Sequence, residues 1–392
     1  MRLSELETPC LVLDKGKVKN NIQAMRRHVE RLGAHLRPHG KTAKSIDVMR
    51  LALDDPSGPI TVSTLKEAEY FFGQGITDIL YAVGIAPVKL DHVARLVMRG
   101  ADLTIILDTI EQAKAASLKG RERDVTFPVL IEIDSDGHRS GKRADDPLLV
   151  ELGQFLHQEQ GVELRGVMTH AGGSYDCRNI EDIRLMAAQE RHAALSCADA
   201  LRRAGLPCPI VSIGSTPTAK FTEDLSRVTE VRSGVYMFYD LFMAGIGVCV
   251  VEDIALSVLA SVIGYQKKKG WIITDAGWMA LSRDRGTANQ AVDQGYGLVC
   301  DYQGHPFSDV IVTATNQEHG IIAKRQGIGI DFNTFAVGSS VRILPNHACA
   351  TGAMHDRYYV IDGTDEIIDV WDRINGWEGG SQLVDFSGKI RG

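Results

Sequence analysis

The chain has 392 residues, of which 44% are hydrophobic and 24% charged, with a formal net charge of −7 at neutral pH. That length accommodates two domains with a substantial core, and the apolar share excludes wholesale disorder. The negative balance argues against nucleic acid or an anionic membrane surface as a partner.

In chain order, the strand-like "TPCLVLD" comes first, followed by "KVKNNIQAMRRHVERL". In the latter, Val18, Ile22, Met25, Val29 and Leu32 alternate intervals of four and three, which predicts an amphipathic helix with one buried stripe. Strand-like cores then recur at "LRPHG", 60–64, 78–83, 103–107, 128–134, 165–170, 209–213 and 227–236. Helical patterns lie between them at 44–53, 65–74, 87–99, 109–119, 147–159 and 182–204. Eight strands, most of them separated by a helix, predict an α/β fold with a closed (β/α)8 barrel of TIM type. An open doubly wound sheet fits the same pattern, but no glycine-rich dinucleotide fingerprint follows the first strand. After about residue 245 the rhythm changes to short strands broken by Gly, Asp and Asn turns, as in "GWIITDAG" and "RYYVIDGTDEIIDVW". This predicts a second, mostly antiparallel β domain. The expected division is a barrel over 15–245 and a β domain over 1–14 plus 246–392.

The seven cysteines form no C-x-x-C pair and no regular frame, which predicts reduced thiols in a cytoplasmic setting. "MRLSELETPCLVLD" has no apolar signal core, and no apolar run is long enough to cross a bilayer, so no membrane partner is expected.

Barrel active sites are built from the loops after the strands. Those positions hold Lys41 and Lys44 after the first strand, Arg139 after the fifth, and His170 and Tyr175 after the sixth. They hold Gly214, Ser215 and Thr216 after the seventh, and Arg232, Gly234 and Val235 at the eighth. Gly-Ser-Thr-Pro alone reads first as a turn, but hydroxyls and glycines at two neighbouring strand ends together suit a phosphate. A lysine in the same mouth could hold an aldehyde cofactor covalently. Late in the chain, "LPNHAC" sets His347 two residues before Cys349. Two donors cannot complete a structural zinc site, so a metal here would keep open positions, and a strand would project both side chains from one face. The alternative is a strand that simply carries two polar residues.

The order "TPCLVLD … LRPHGKTAK … IEIDSDGHRSG … THAGGSY … GSTPT … VRSGVY … DAG … QEHG … LPNHAC … IIDVW" resembles the D-serine dehydratase and D-threonine aldolase family. These are alanine-racemase-like, fold-type III pyridoxal 5'-phosphate (PLP) enzymes, and the zinc-dependent D-serine dehydratase branch is the most similar. The resemblance makes Lys41 the lysine that tethers PLP, with Lys44 a more distant cation. It implies Arg139 at the cofactor's phenolate oxygen, and His170 and Tyr175 along its ring. Thr216, Gly234 and Val235, with Ser215, would hold the phosphate, and Arg232 would face the pyridine nitrogen, as in the racemase pattern. His347 and Cys349 would bind the metal. The aldolase branch resembles His-x-Asp there, whereas a thiolate favours Zn2+ over hard divalent ions. His355 and Asp356 read as ordinary loop residues.

The implied activity is dehydration of a small-molecule 3-hydroxy-D-amino acid such as D-serine to a 2-oxo acid and ammonia, by a homodimer. Retro-aldol cleavage to glycine and an aldehyde is the nearest alternative. A racemase or a non-enzymatic PLP-binding protein is a further one.

Overall fold

Strand β1 (Cys10–Asp14) is buried along its whole length, and its last residue caps helix α1 (Lys15–Arg31) by accepting from the Lys17 N–H at 3.1 Å. Helix α1 buries Val18, Ile22, Met25 and Val29, the stripe expected from their spacing. The computed structural model containing these elements describes residues 1–326 and 329–377. The end of the expected β domain, 378–392, lies outside the described residues.

Eight parallel strands follow: β2 (His35–Pro38), β3 (Ile60–Val62), β4 (Asp78–Tyr81), β5 (Asp102–Leu107), β6 (Phe127–Ile133), β7 (Val162–Thr169), β8 (Ile210–Ile213) and β9 (Glu230–Ser233). Their ladder runs β2-β9-β8-β7-β6-β5-β4-β3. The remaining seam, between β2 and β3, is closed just past the strand end by the bridge His39–Thr61 and the Gly40 N–H bonded to Thr61 O at 2.8 Å. Gly40 is needed there, because a Cβ would lie 2.8 Å from the Phe71 ring. Leu80, Ile106, Leu130 and Met168, one from each of four adjacent strands, fill the barrel interior.

The helices are α2 (Ile46–Ala52), α3 (Leu65–Gly73), α4 (Leu90–Met98), α5 (Ile110–Arg123), α6 (Pro147–Gln158), α7 (Ile180–Arg203), α8 (Thr216–Phe221) and α9 (Leu241–Gly245). Side-chain caps from Thr64, Thr109, Asp146 and Asn179 start α3, α5, α6 and α7, each contributing about 1 kcal/mol. Helix α5 runs to Arg123, beyond the expected stop at 119, and ends where Asp124 turns left-handed at φ 52°. Helix α8 corrects the reading of Gly-Ser-Thr-Pro as a plain turn. Ser215 is its N-cap, and Pro217 lies in the first turn, where its missing N–H costs nothing.

The remaining strands are β10 (Leu256–Gln266), β11 (Trp271–Thr274), β12 (Leu298–Cys300), β13 (Pro306–Thr315), β14 (Gly320–Lys324), β15 (Ser340–Leu344), β16 (Arg357–Ile361) and β17 (Asp369–Asp372). Two short helices, α10 (Trp278–Leu281) and α11 (Ala348–Gly352), interrupt them. The sheet order is β11-β14-β13-β12-β15-β10-β1-β16-β17, with β11 returning to pair with β10, and among the described residues only β1–β16 is parallel. The fold is thus a (β/α)8 barrel with a mostly antiparallel β domain, and β1 belongs to the sheet of the latter. None of the described helices is long and apolar enough to cross a membrane.

Candidate active site

A cavity of about 390 Å3 opens above Met168, at the C-terminal ends of the barrel strands, with the segments around Asp284 and His347 as its opposite wall. Its size suits a cofactor with a small substrate. Of the residues singled out from the sequence, Lys41, Arg139, His170, Tyr175, Ser215, Thr216, Arg232, Gly234, Val235, His347 and Cys349 all line it. Lys44 does not: its ammonium pairs with the buried Glu67 carboxylate at 3.2 Å. His355 Nε2 donates to Ala280 O at 2.9 Å, and Asp356 pairs with Arg357 at 3.1 Å, so both serve structure.

Lys41 follows the seam-closing His39–Gly40 directly, and its own N–H reaches His39 Nδ1 at 3.3 Å. At another end of the cavity, the Thr216 and Ser233 hydroxyls share a 2.7 Å hydrogen bond. The N–H groups of Gly234 and Val235 donate to no partner among the described residues. A Cβ on Gly234 would sit 3.1 Å from His39 O, so that corner is kept open to backbone donors. The Ser215 hydroxyl is largely committed, contacting Ser174 Oγ at 2.7 Å and Thr218 Oγ1 at 3.0 Å as part of the helix cap.

Glu190 ties this end together. Its carboxylate accepts from the Ala171 N–H at 2.9 Å, the Gly214 N–H at 2.9 Å and the Thr218 hydroxyl at 2.7 Å. Burial raises its pKa, and these hydrogen bonds oppose the rise. Below the cavity, the Arg232 guanidinium donates to Ser212 Oγ at 2.8 Å and to Thr169 O. Ser212 donates to Glu230 at 2.6 Å, and Glu230 accepts from Arg37 at 2.7 Å. Burial lowers Arg232 to about 10, which still leaves a cation at neutral pH.

His170 Nδ1 lies 2.9 Å from Gly214 O, so Nδ1 carries the proton and Nε2 keeps its lone pair. Burial, reinforced by the Lys41 cation, holds His170 down to about 3, and it is neutral at physiological pH. The unfolded chain therefore takes up this proton first as pH falls below 6.5. Stability from this group is complete above pH 6.5 and is lost progressively toward pH 3, by about 2 kcal/mol between pH 6.5 and 5. His170→Asn is expected to flatten the decline of Tm over that interval in the apoprotein. An unchanged slope in parallel thermal melts would refute the assignment.

His347 and Cys349 do converge, but not as expected. They sit at the junction of β15 with α11, where His347 is the N-cap residue, rather than on a strand. Asp240 fixes the junction by accepting from the Ala348 N–H at 2.9 Å, and Pro345 O and Asn346 O accept from the amides of Leu241 and Phe242. His347 Nδ1 is 2.9 Å from Asp284 Oδ2. Burial works against its charge, but the Asp284 carboxylate and the Cys349 sulfur outweigh this and push it up to about 11. Burial would raise the Cys349 thiol. His347, Lys41 and Thr42 more than offset that and hold it below its ordinary value. An imidazole held by a carboxylate, beside a sulfur inclined to thiolate, is a donor set that fits a soft divalent ion. No group of three or more His, Cys, Asp or Glu ligands occurs among the described residues, and an ion held by His347 and Cys349 alone would keep open positions.

Sequence reasoning missed His39, Glu190, Asp240 and Asp284. Glu190 left a trace, a charge on the buried stripe Ile183, Ala187, Glu190, Ala194 of α7. Asp284 left none, since its partner lies 63 positions away.

Two family models match this chain, the alanine racemase N-terminal domain over residues 13–241 and the putative serine dehydratase domain over residues 255–361. The chain is 51% identical over 378 residues to the D-threo-3-hydroxyaspartate dehydratase of Delftia sp. (strain HT23), covering 96% of this chain and 99% of that one. It is 32% identical to the D-serine dehydratase of Dictyostelium discoideum, covering 96% and 98%. It is also 27% identical to the 3-hydroxy-D-aspartate aldolase of Paracoccus denitrificans (strain Pd 1222), covering 91% and 88%. Among solved structures, a cysteine-to-alanine mutant of a D-threo-3-hydroxyaspartate dehydratase, described as metal-free, superposes with a TM-score of 0.94 at 50% identity, covering 96% of this chain and all of that one. A histidine-to-alanine mutant, altered two positions earlier, gives the same TM-score. With matches running from residue 13 to residue 361, this chain belongs to the fold-type III PLP enzymes, in the branch of PLP-dependent lyases that joins an alanine-racemase-type barrel to a serine-dehydratase domain.

Proposed function

We propose that this chain is a PLP- and zinc-dependent dehydratase of a 3-hydroxy-D-amino acid, releasing a 2-oxo acid and ammonia. The observation that carries the reading is the placement of the His347–Cys349 couple and Lys41 in one cavity. The mutants of the related dehydratase, altered at a histidine and a cysteine two residues apart, support a metal at this couple.

PLP, when bound, supplies an electron sink for charge developing at the substrate's Cα. Lys41 is the residue that would hold it and take the α-proton. Thr216 and the amides of Gly234 and Val235 would donate hydrogen bonds to its phosphate. Ser215 mainly keeps the first turn of α8 in place. His170 and Tyr175, which line the cavity, would flank its ring, and Arg139 would stand at the phenolate side. Arg232 stays a cation, and opposite the ring nitrogen it would discourage a proton there and weaken the sink. Loss of the β-hydroxyl then depends on the far wall. A zinc ion on His347 and Cys349 would supply Lewis acidity toward that poor leaving group. Asp284 orients the imidazole, and Asp240 orients the peptide between the two donors. Elimination removes water, and hydrolysis of the resulting enamine returns it, so the net products are a 2-oxo acid and ammonia.

The high identity to a D-threo-3-hydroxyaspartate dehydratase favours a substrate with a second carboxylate, with D-serine a slower one. The reading includes a homodimer and a cytoplasmic setting, drawn from the resemblance and the unpaired cysteines.

The test is a product assay with D-threo-3-hydroxyaspartate, D-serine and D-threonine, before and after chelation. Ammonia and 2-oxo acid in equal amounts, suppressed by the chelator and restored by zinc, is the expected result. Glycine and an aldehyde in equal amounts would instead establish the aldolase.

A further inference from the structure

The loop that carries Lys41 is anchored on its downstream side by the β domain. Thr42 O accepts from Arg373 Nη1 at 3.3 Å, Ala43 O from the Tyr358 hydroxyl at 2.7 Å, and Lys44 O from the Ile374 N–H at 2.9 Å. These are three consecutive carbonyls, and the last belongs to a residue held at φ 47°, a conformation that L-residues adopt only when their surroundings impose it.

Arg373 joins this loop to the metal wall. One side of the guanidinium meets Tyr358, lying 5.0 Å from the ring centroid and donating to the hydroxyl. It also packs on Gly352, the last residue of the helix that bears Cys349, where a Cβ would fall 2.5 Å from Nη1. The Thr42 hydroxyl completes the circuit, 3.1 Å from Cys349 Sγ. Arg373 is 6% exposed, and its Nε and Nη2 have no partner among the described residues. A hydrophobic side chain would pack such a place without the desolvation cost of a guanidinium. The gain from arginine here is geometric.

We propose that Arg373, assisted by Tyr358, is a positioning residue that sets the spacing between Lys41 and Cys349. The proposal rests on the reading of those two residues as the cofactor lysine and a metal ligand. Packing alone would predict lost stability in variants. Positioning predicts that the cofactor's environment and the metal change as well, because small displacements of reacting groups cost about a hundredfold in rate.

The experiment compares zinc- and PLP-loaded wild type with Arg373→Met, Arg373→Lys, Tyr358→Phe and Gly352→Ala. It records kcat and KM, the visible circular dichroism of the bound cofactor, and zinc affinity against a chromophoric chelator. Arg373→Met is expected to lower kcat about 10- to 100-fold with KM within about threefold, to halve the dichroic band or more, and to weaken zinc about tenfold. Gly352→Ala should do the same by displacing the guanidinium. Arg373→Lys should recover part of kcat. Tyr358→Phe, which keeps the ring packing, should cost about threefold in kcat and keeps the idea testable if Arg373→Met does not fold. Variants that lose only thermal stability, with dichroism, kcat and zinc affinity as in wild type, would overturn the proposal. A wild-type cofactor band that persists in Lys41→Ala would overturn the underlying reading instead, so the two failures are distinct.

Discussion

Lys41→Ala is expected to lose the absorption band at about 420 nm that a lysine-held PLP gives, and with it at least about a thousandfold in kcat. The size of the effect follows from the site. Lys41 is the only lysine lining the cavity among the described residues. Lys44, three positions on, cannot take over, because its ammonium is bound to Glu67 and its backbone to Gly40 O and the Ile374 N–H. Lys44→Ala therefore serves as the control and should keep the band. On the proposed role of Lys41, one substitution removes both tethering and proton transfer, which makes this the largest single effect expected. Absorbance spectra and single-turnover kinetics of the two variants decide it, and a band surviving in Lys41→Ala would end the assignment.

Removing the sulfur donor comes second. Cys349→Ala leaves His347 as the sole protein donor of the proposed metal, and zinc affinity should fall by at least about a hundredfold, with elimination falling in parallel. Cys349→Asp is more discriminating. It restores an anionic donor of the hard kind, so it should bind zinc more weakly than the thiolate and eliminate more slowly, while taking up manganese or magnesium more readily. Asp284→Asn should give an intermediate loss of zinc, about 10- to 100-fold, by releasing the imidazole it orients. Full activity of chelated wild-type protein, or of metal-free Cys349→Ala, would show that the metal has no part in the reaction.

Much of the architecture was legible because the barrel repeats one physical pattern. Apolar runs bounded by helical stripes marked all eight barrel strands, and the capped helices α3, α6 and α7 begin or end within two residues of expectation. Helices α8 and α9 escaped because six and five residues are too few for a 3.6-residue period to show. The lining of the site was legible from strand-end position together with resemblance. The supports behind it were not. Glu190, Asp240 and Asp284 act on residues tens of positions distant, and such partnerships leave no local spacing to read. The convergence of His347 and Cys349 was anticipated for an inaccurate reason, since a helix start rather than an extended strand brings them together.

The position of β1 bears on how the polypeptide is made. Its register pairs Val12 with Ser257 on one side and with Tyr359 on the other. A nascent chain emerging from the ribosome must therefore keep "CLVLD" unsatisfied on both edges while the whole barrel is synthesised. An apolar strand left open in that way invites pairing with neighbouring chains. Its last partner arrives with the same C-terminal stretch that supplies Tyr358. A product cut short before residue 357 would thus carry both a sticky edge and an unsupported Lys41 loop, so the molecule's solubility and its competence are completed by the same few codons.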